Sequence, residues 1–454
     1  MRISIVGTGY VGLTTGIVLA FLGNQVTCVD VDSNKINDLN HDVLPFYEPG
    51  LEELFKLSKS NLTFTTDFEL SIPRSEVIFI TVGTPPLSNG NPNTKYLEEC
   101  SNEIGKYLSG NFTVIVNKST VPIGSGNWVE NIIHDAFADK FGYEPKDFFA
   151  VVSNPEFLRE GSAIFDTFYP DRIILGTDNQ RGIDILYELY APIIQQSFEP
   201  PEFLTKRENI SSVPFVITSL ISAEMIKYSA NAFLALKISF INEIAALTEK
   251  VGGDIIQIAN GMGLDHRIGS AFLNAGIGWG GSCFGKDTYA LQRTASEYSL
   301  NMPIVDGLRT VNYRLRNKVV ERISDDIKIF KGKTIGILGL AFKPDTDDIR
   351  DSPAIEIARL FLERGSKIIA HDPMAIENAK GVFPANAVKF ETDPENVFNN
   401  ADAVILATEW PQYKGLNWVE LKARMKNPLV FDGRNFLDKN MMTAIGYKYM
   451  GVGR

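Results

Sequence analysis

Ile3-Ser4-Ile5-Val6-Gly7-Thr8-Gly9-Tyr10-Val11-Gly12 opens the chain and decides how the rest of it is read. A short β-branched run enters three glycines at GxGxxG spacing, and a helix-compatible stretch follows from Leu13 to Leu22. Strand, tight turn and helix in this order begin a dinucleotide-binding α/β unit. Gly7 permits the turn, Gly9 lets backbone approach a pyrophosphate, Gly12 lets helix and strand pack closely, and the helix N-terminus offers N–H dipoles to phosphate. The glycines alone are a weak signal. Their place between strand and helix, with Asp30 closing the next strand roughly 20 residues on, makes the signal strong.

Asp30 would accept hydrogen bonds from adenosine ribose hydroxyls and repel a 2′-phosphate. Val31 and Asp32 bring no Arg to hold such a phosphate, so NAD is expected over NADP. Lys35 is the nearby cation that dissents, and it joins Gly7, Gly9, Tyr10, Val11, Gly12 and Asp30 in the expected cofactor site.

Outward from this turn, short apolar runs at Gln25–Asp30, Val77–Val82, Thr113–Asn117, Phe148–Ser153 and Arg172–Gly176 alternate with helical stretches. That rhythm predicts a parallel sheet with helices on both faces. Ser197–Pro214, with Pro200, Pro201, Asn209, Ser211, Ser212 and Pro214, reads as a linker. Ser222–Val251 has neither Pro nor Gly and reads as one helix of about 45 Å, long enough to bridge domains. Helices are expected at Asp254–Met262, Asp287–Tyr298 and Pro303–Phe330.

Strand signals then resume at Thr334–Leu338, Lys367–His371, Ala403–Ala407 and Leu429–Phe431. The second unit opens with Gly336-Ile337-Leu338-Gly339 but lacks the full glycine spacing, so a second dinucleotide is not expected there. The fold class is α/β: two Rossmann-like doubly wound domains, residues 1–212 and 331–454, joined by a long central helix and a helical middle domain, residues 213–330.

Composition narrows the function. The chain has 454 residues, 44% hydrophobic and 22% charged, with a net charge of −11, so there is no basic surplus for nucleic acid or an anionic membrane. The apolar run Gly16–Gly23 is far short of the ~20 residues of a membrane span. Glycines interrupt the apolar start at Gly7, Gly9 and Gly12, against a secretory leader, and a cytoplasmic protein is expected. The three cysteines are too few and scattered for a disulfide framework, and the four histidines form no metal-binding pair, so no metal site is expected.

Gly278-Trp279-Gly280-Gly281-Ser282-Cys283-Phe284-Gly285-Lys286-Asp287 is the most informative chemistry-bearing segment. Glycines this dense would let backbone approach a ligand, and a helix starting nearby, with Lys286, would favour the thiolate. Cys283 therefore reads as a nucleophile, whereas Cys28 and Cys100 read as small buried hydrophobes. Lys227 and Asn231, four apart on the long helix, project from one face.

These segments resemble the UDP-glucose 6-dehydrogenase family of nucleotide-sugar dehydrogenases. The likeness includes Tyr47-Glu48-Pro49-Gly50-Leu51, Val82-Gly83-Thr84-Pro85, Lys118-Ser119-Thr120-Val121-Pro122 and Asn154-Pro155-Glu156-Phe157-Leu158-Arg159-Glu160-Gly161. It continues through Lys227 to Asn231 with Ala232-Phe233-Leu234-Ala235, Phe342-Lys343-Pro344 with Thr346-Asp347-Asp348-Ile349-Arg350, and Asp432-Gly433-Arg434, and so spans nearly the whole chain.

The resemblance implies oxidation of a primary alcohol to a carboxylate with two NAD, through a thiohemiacetal and a thioester on Cys283. It implies that Lys227 and Asn231 polarise the C6 oxygen, that Asp287 with a water is a general base, and that Glu156 and Thr120 position that water. Thr84, Thr120, Glu160 and Arg350 are expected near the nicotinamide, and Lys286 is placed with the cofactor residues. Glu156, Phe157, Leu158, Lys227, Asn231, Arg267, Phe272, Gly280, Phe284, Phe342, Lys343 and Arg434 are the expected UDP-glucose residues, with Arg267 reaching a neighbouring subunit.

Three departures from the family pattern stand out: Trp279 where Phe is common, Asn117 before the Lys-Ser-Thr-Val-Pro run, and a long polar connection at Glu199–Val213. GDP-mannose is the closest alternative substrate, because that relative shares the Cys and Lys-Asp spacing. Relatives acting on UDP-N-acetylated sugars tend to carry His where this chain has Ser282. A non-catalytic dinucleotide-sensing scaffold is opposed by the joint presence of Cys283, Asp287, Lys227, Asn231 and Glu156. The apolar positions of the long helix, among them Met225, Phe233, Phe240 and Leu247, predict a homo-oligomer, a dimer at minimum.

Overall fold

The computed structural model describes residues 1–85, 87, 92–208 and 210–454; Asn209 of the expected linker lies outside the described residues. The chain forms two compact units, Met1–Ser229 and Ala230–Arg454, which meet within the helix Leu220–Val251.

In the first unit an eight-stranded sheet is built from β1 (Arg2–Val6), β2 (Gln25–Val29), β3 (Leu62–Thr65), β4 (Val77–Ile80), β5 (Thr113–Asn117), β6 (Phe149–Ser153), β7 (Ile173–Gly176) and β8 (Phe215–Thr218). Their spatial order is 3-2-1-4-5-6-7-8, with the strand order reversing direction between β1 and β4. Successive residues feed opposite faces: Ile3, Ile5, Val77 and Phe79 lie in one apolar cluster, Ile78 and Ile80 in another. Strands buried on both sides are what a doubly wound sheet requires, and the crevice at the β1/β4 reversal is where such sheets bind ligands.

The sheet departs from the expectation at two places. β6 and β7 meet antiparallel, through the single pair Ser153 and Gly176, because Asn154–Pro170 turns the chain back rather than crossing over the sheet. Phe215–Thr218 pairs with β7 and belongs to this sheet, so the boundary expected at 212 falls before the sheet's last strand. β3 and β8 were missed because they are half-exposed edge strands with no continuous apolar run.

The second unit carries a six-stranded, all-parallel sheet: β9 (Thr334–Leu338), β10 (Lys367–His371), β11 (Val388–Phe390), β12 (Ala403–Leu406), β13 (Leu429–Asp432) and β14 (Lys448–Gly451), in the order 11-10-9-12-13-14. Ile335, Ile337, Ala403 and Ile405 pack on one face, Leu338, Val404 and Leu406 on the other. The expected helices at Asp254–Met262, Asp287–Tyr298 and Pro303–Phe330 are Ile255–Gly263, Ser282–Glu297 and Pro303–Ser324.

The 32-residue helix Leu220–Val251 is long and apolar enough, by length and composition, to cross a bilayer. Its polar side chains instead bond to protein: Glu224 to the Gly124 and Gly126 amides, Asn242 to the Gly276 amide.

Candidate active site

At the β1 turn, Gly7 has φ +100°, a left-handed conformation that side chains resist, and a Cβ there would also press on the Thr81 backbone. Gly9 is exposed and has nothing within 4 Å of where a Cβ would stand. The helix Tyr10–Phe21 begins there without a side-chain cap, so its first-turn N–H groups face an open approach. A phosphate-bearing dinucleotide fits this corner.

Asp30 completes it. One carboxylate oxygen accepts from the Thr8 amide (2.8 Å), the Thr8 hydroxyl (2.7 Å) and Lys35 Nζ (3.1 Å), the other from the Asp32 amide (3.1 Å). Burial alone would raise this carboxyl, but Thr8, the Asp32 amide and Lys35 together outweigh it and hold it below the usual range. Lys35 is thus engaged by Asp30. In the second sheet the corresponding residue, Asp372, receives the Leu340, Ala341, Met374 and Ala375 amides and the Trp410 indole, which saturates it. That corner offers no carboxylate to a ribose.

Tyr10, expected at the cofactor, takes its hydroxyl to the Gly161 amide (3.0 Å). The same amide donates to Glu48 Oε2 and the Ala163 amide to Glu48 Oε1, both at 2.6 Å. Buried Glu48 thereby fixes the segment that carries Glu160. The sequence showed the Tyr47–Leu51 motif without showing what it holds. Thr84 is buried and donates to the Thr120 carbonyl at 2.7 Å, so the two expected nicotinamide residues are adjacent. Val11 and Leu158 are half-buried.

Glu156 and Lys227 form a buried pair. Lys227 Nζ donates to Glu156 Oε1 at 2.9 Å and to the Glu156 carbonyl at 2.5 Å. Phe157 meets two cations, with Arg172 4.0 Å and Lys227 5.3 Å from its ring centre. Arg172 had no signal in the sequence beyond a strand end.

In the second unit Cys283 is exposed and is the second residue of the helix Ser282–Glu297. The helix starts earlier than expected, because Gly281 (φ +84°) turns the chain directly into it, with no side-chain cap. Positive partial charge at such an end favours an anion. One turn on, wholly buried Asp287 accepts from Asn231 Nδ2 at 2.6 Å. Lys286 Nζ lies 2.8 Å from the other Asp287 oxygen, an ion pair without hydrogen-bond angles.

Side chains at Gly278, Gly280 and Gly281 would collide with Asn312, the Asp351 carbonyl and the Phe342 ring, so these glycines admit close protein packing. Trp279 is buried there, its backbone amide and carbonyl both bonded to Asn312.

Phe272 and Phe284 sit edge-to-face at 6.4 Å, and Lys343 lies over Phe342 at 5.6 Å. Arg434 spends three donors on the Ala407, Gly278 and Phe342 carbonyls, which makes it a strut between loops as well as an expected substrate cation. Arg350 pairs with Asp348, and exposed Arg267 with Asp265. Among the described residues no cluster of metal-binding side chains is present.

Comparison with known proteins adds to this geometry. Models of the UDP-glucose/GDP-mannose dehydrogenase family match the chain in three parts: its NAD binding domain at residues 1–194, its central domain at 221–314 and its UDP binding domain at 336–439. The chain is 41% identical over 455 residues to UDP-glucose 6-dehydrogenase TuaD of Bacillus subtilis, covering 100% of this chain and 93% of that one. It is 40% identical over 463 residues to the UDP-glucose 6-dehydrogenase of Rhizobium meliloti, covering all of both. A solved UDP-glucose dehydrogenase from Pyrobaculum islandicum superposes with a TM-score of 0.87 at 36% identity, covering 100% of this chain and 97% of that one.

Proposed function

The chain belongs to the UDP-glucose/GDP-mannose dehydrogenase family, and from that premise we propose that it oxidises UDP-glucose to UDP-glucuronate, forming two NADH per sugar. The observation that carries the proposal is Cys283 in the first turn of its helix, one turn before the buried Asp287 that Asn231 holds.

NAD bound at the Gly7–Gly12 turn and Asp30 supplies a hydride acceptor, with Lys35, Thr84, Thr120, Glu160, Lys286 and Arg350 as its further contacts. Asp287, through a water, takes the proton of the C6 hydroxyl as the first hydride leaves carbon, and Lys227 and Asn231 polarise the oxygen. Cys283 sulfur then bonds to the aldehyde carbon, and the oxygen takes up a proton. This tetrahedral carbon would give its remaining hydride to a second NAD while its hydroxyl proton passes to the water at Asp287, which leaves the thioester. A water positioned by Glu156 and Thr120 attacks the thioester carbon, the C–S bond breaks, and the thiol is restored. Arg267, Lys343 and Arg434, with Phe157, Leu158, Phe272, Gly280, Phe284 and Phe342, are proposed to hold the nucleotide sugar.

We read the chain in three functional parts, residues 1–212 for NAD, 213–330 as the connecting helical part and 331–454 for UDP, in a cytoplasmic enzyme. A homo-oligomer, a dimer at minimum, is favoured by Phe233, Phe240 and Leu247, which recur at heptad spacing on the long helix and are 61%, 44% and 60% exposed. Light scattering that gives a single-chain mass in dilute solution overturns the oligomer. Mixing inactive Arg267→Ala chains with inactive Cys283→Ala chains should restore activity if Arg267 serves a neighbouring site.

The function is tested by incubating the protein with NAD and a panel of UDP- and GDP-sugars while following NADH absorbance and product mass. Two NADH and a carboxylate from UDP-glucose are expected. One NADH with a released aldehyde, or turnover of GDP-mannose alone, overturns the reading.

A further inference from the structure

Two lysines bear on Glu156, and the mechanism above uses only one. Lys118 directly follows β5 and donates through its ammonium to Asn154 Oδ1 at 3.2 Å. The same oxygen accepts the hydroxyl of buried Tyr190 at 2.7 Å, while Asn154 Nδ2 donates to the Ile174 carbonyl at 2.8 Å. The Asn154 backbone amide donates to the Asn117 carbonyl at 2.9 Å. Four bonds, reaching β5, β7 and the helix Gln180–Ile194, thus fix the residue two before Glu156. Glu156 itself meets Lys227 with Oε1, and its buried Oε2 has no hydrogen-bond partner among the described residues.

We infer that Lys118 is a positioning residue for Glu156: its ammonium locks the Asn154-Pro155-Glu156 turn, leaving Oε2 to a reacting water. The inference rests on the role proposed above for Glu156. An ordinary structural lysine would point its head to solvent, because burying an ammonium is costly unless something nearby requires the charge. Burial, the largest effect, and Lys227 lower the Lys118 ammonium to about 8 against the opposing pull of Glu156. These are the charged groups that face it. Tyr190 stays protonated, burial having raised its hydroxyl, and keeps its bond to Asn154 throughout.

Two measurements on the full chain test this. In protein labelled with ¹³C-lysine, with the Lys118 signal assigned by its loss in Lys118→Arg, Glu156→Gln should lower the Lys118 titration midpoint by about half a pH unit or more. An unmoved midpoint overturns the inference whether or not the protein oxidises UDP-glucose, which separates this failure from failure of the functional reading. In kinetics, Lys118→Met should lower kcat about tenfold or more with KM for both substrates within about twofold. Lys118→Arg, which keeps the charge and a donor, should return kcat toward its native value. Native kcat in Lys118→Met, or no recovery in Lys118→Arg, overturns the inference. If Lys118→Met does not fold, the Glu156→Gln titration decides alone.

Discussion

Asn231 Nδ2 meets Asp287 Oδ2 across 2.6 Å, and the carboxylate it meets is wholly buried. A buried carboxylate needs its donors, so removing this one has a calculable effect. Asn231→Leu leaves Asp287 with Lys286 alone and should cost about 1–3 kcal/mol of stability by chemical denaturation. Asp287→Asn keeps a hydrogen-bonding side chain of the same size. It should fold with little change in Tm and lose roughly 10²-fold or more in turnover. Full activity in Asp287→Asn removes Asp287 from the mechanism.

The three cysteines should separate cleanly by chemistry. Burial pushes the Cys28 thiol up to about 12 and Cys100 upward as well, whereas Cys283 is exposed at a helix N-terminus. Iodoacetamide at pH 8 should therefore modify Cys283 first, as read by peptide mass, and abolish activity, with NAD and UDP-sugar protecting. Cys283→Ser should lose nearly all turnover and accumulate a sugar ester, Cys283→Ala should form no adduct, and Cys28→Ala and Cys100→Ala should stay active. Near-native turnover by Cys283→Ala removes the covalent step.

Asp30 sets both the cofactor and a pH dependence. Its folded-state pKa is depressed, so the carboxylate stays ionised down through the ordinary carboxylate range. KM for NAD should then be flat from about pH 8 to about pH 5 as far as this group is concerned. Its stabilising contribution is present above the unfolded value of about 4 and is lost as pH falls through the lower folded value. Asp30→Gly should narrow the preference for NAD over NADP in a direct comparison of kcat/KM, because the repulsion of a 2′-phosphate is gone.

Both Glu48 oxygens accept from backbone amides at 2.6 Å. Glu48→Ala should destabilise the chain by about 2–4 kcal/mol, because it strands two amides and cuts two charge-assisted bonds. It should also raise KM for NAD more than it lowers kcat, since the Gly161 amide is shared with Tyr10 at the dinucleotide turn. Equal effects on both constants would place Glu48 outside the cofactor's support.

The β1 turn was legible because everything it needs lies within a dozen residues: a β-branched run, glycines where a side chain would collide, and a helix behind them. The same locality made the inner strands visible, since Val77–Ile80 and Thr113–Asn117 are buried on both faces and read as unbroken apolar runs. Edge strands gave no such signal. Leu62–Thr65, Phe215–Thr218 and Lys448–Gly451 each bury only part of their surface, and polar and apolar residues mix along them. The reversal of β6 and β7 was hidden for a related reason, because an extended segment carries no mark of the direction in which its neighbour runs.

The candidate site divides in the same way. By itself the sequence determined which residues can carry the chemistry: a thiol ahead of Lys286-Asp287, an Asp at the end of β2, and Lys227 and Asn231 on one helix. Only the tertiary structure decided what each of them touches. It gave Asp287 to Asn231, Lys35 to Asp30 and Lys227 to Glu156, and it filled the space beside Gly280 and Gly281 with Asp351 and Phe342. Strand and helix propensity are properties of a few consecutive residues, whereas the partner of a buried polar group comes from whichever distant segment the closed fold brings within about 3 Å.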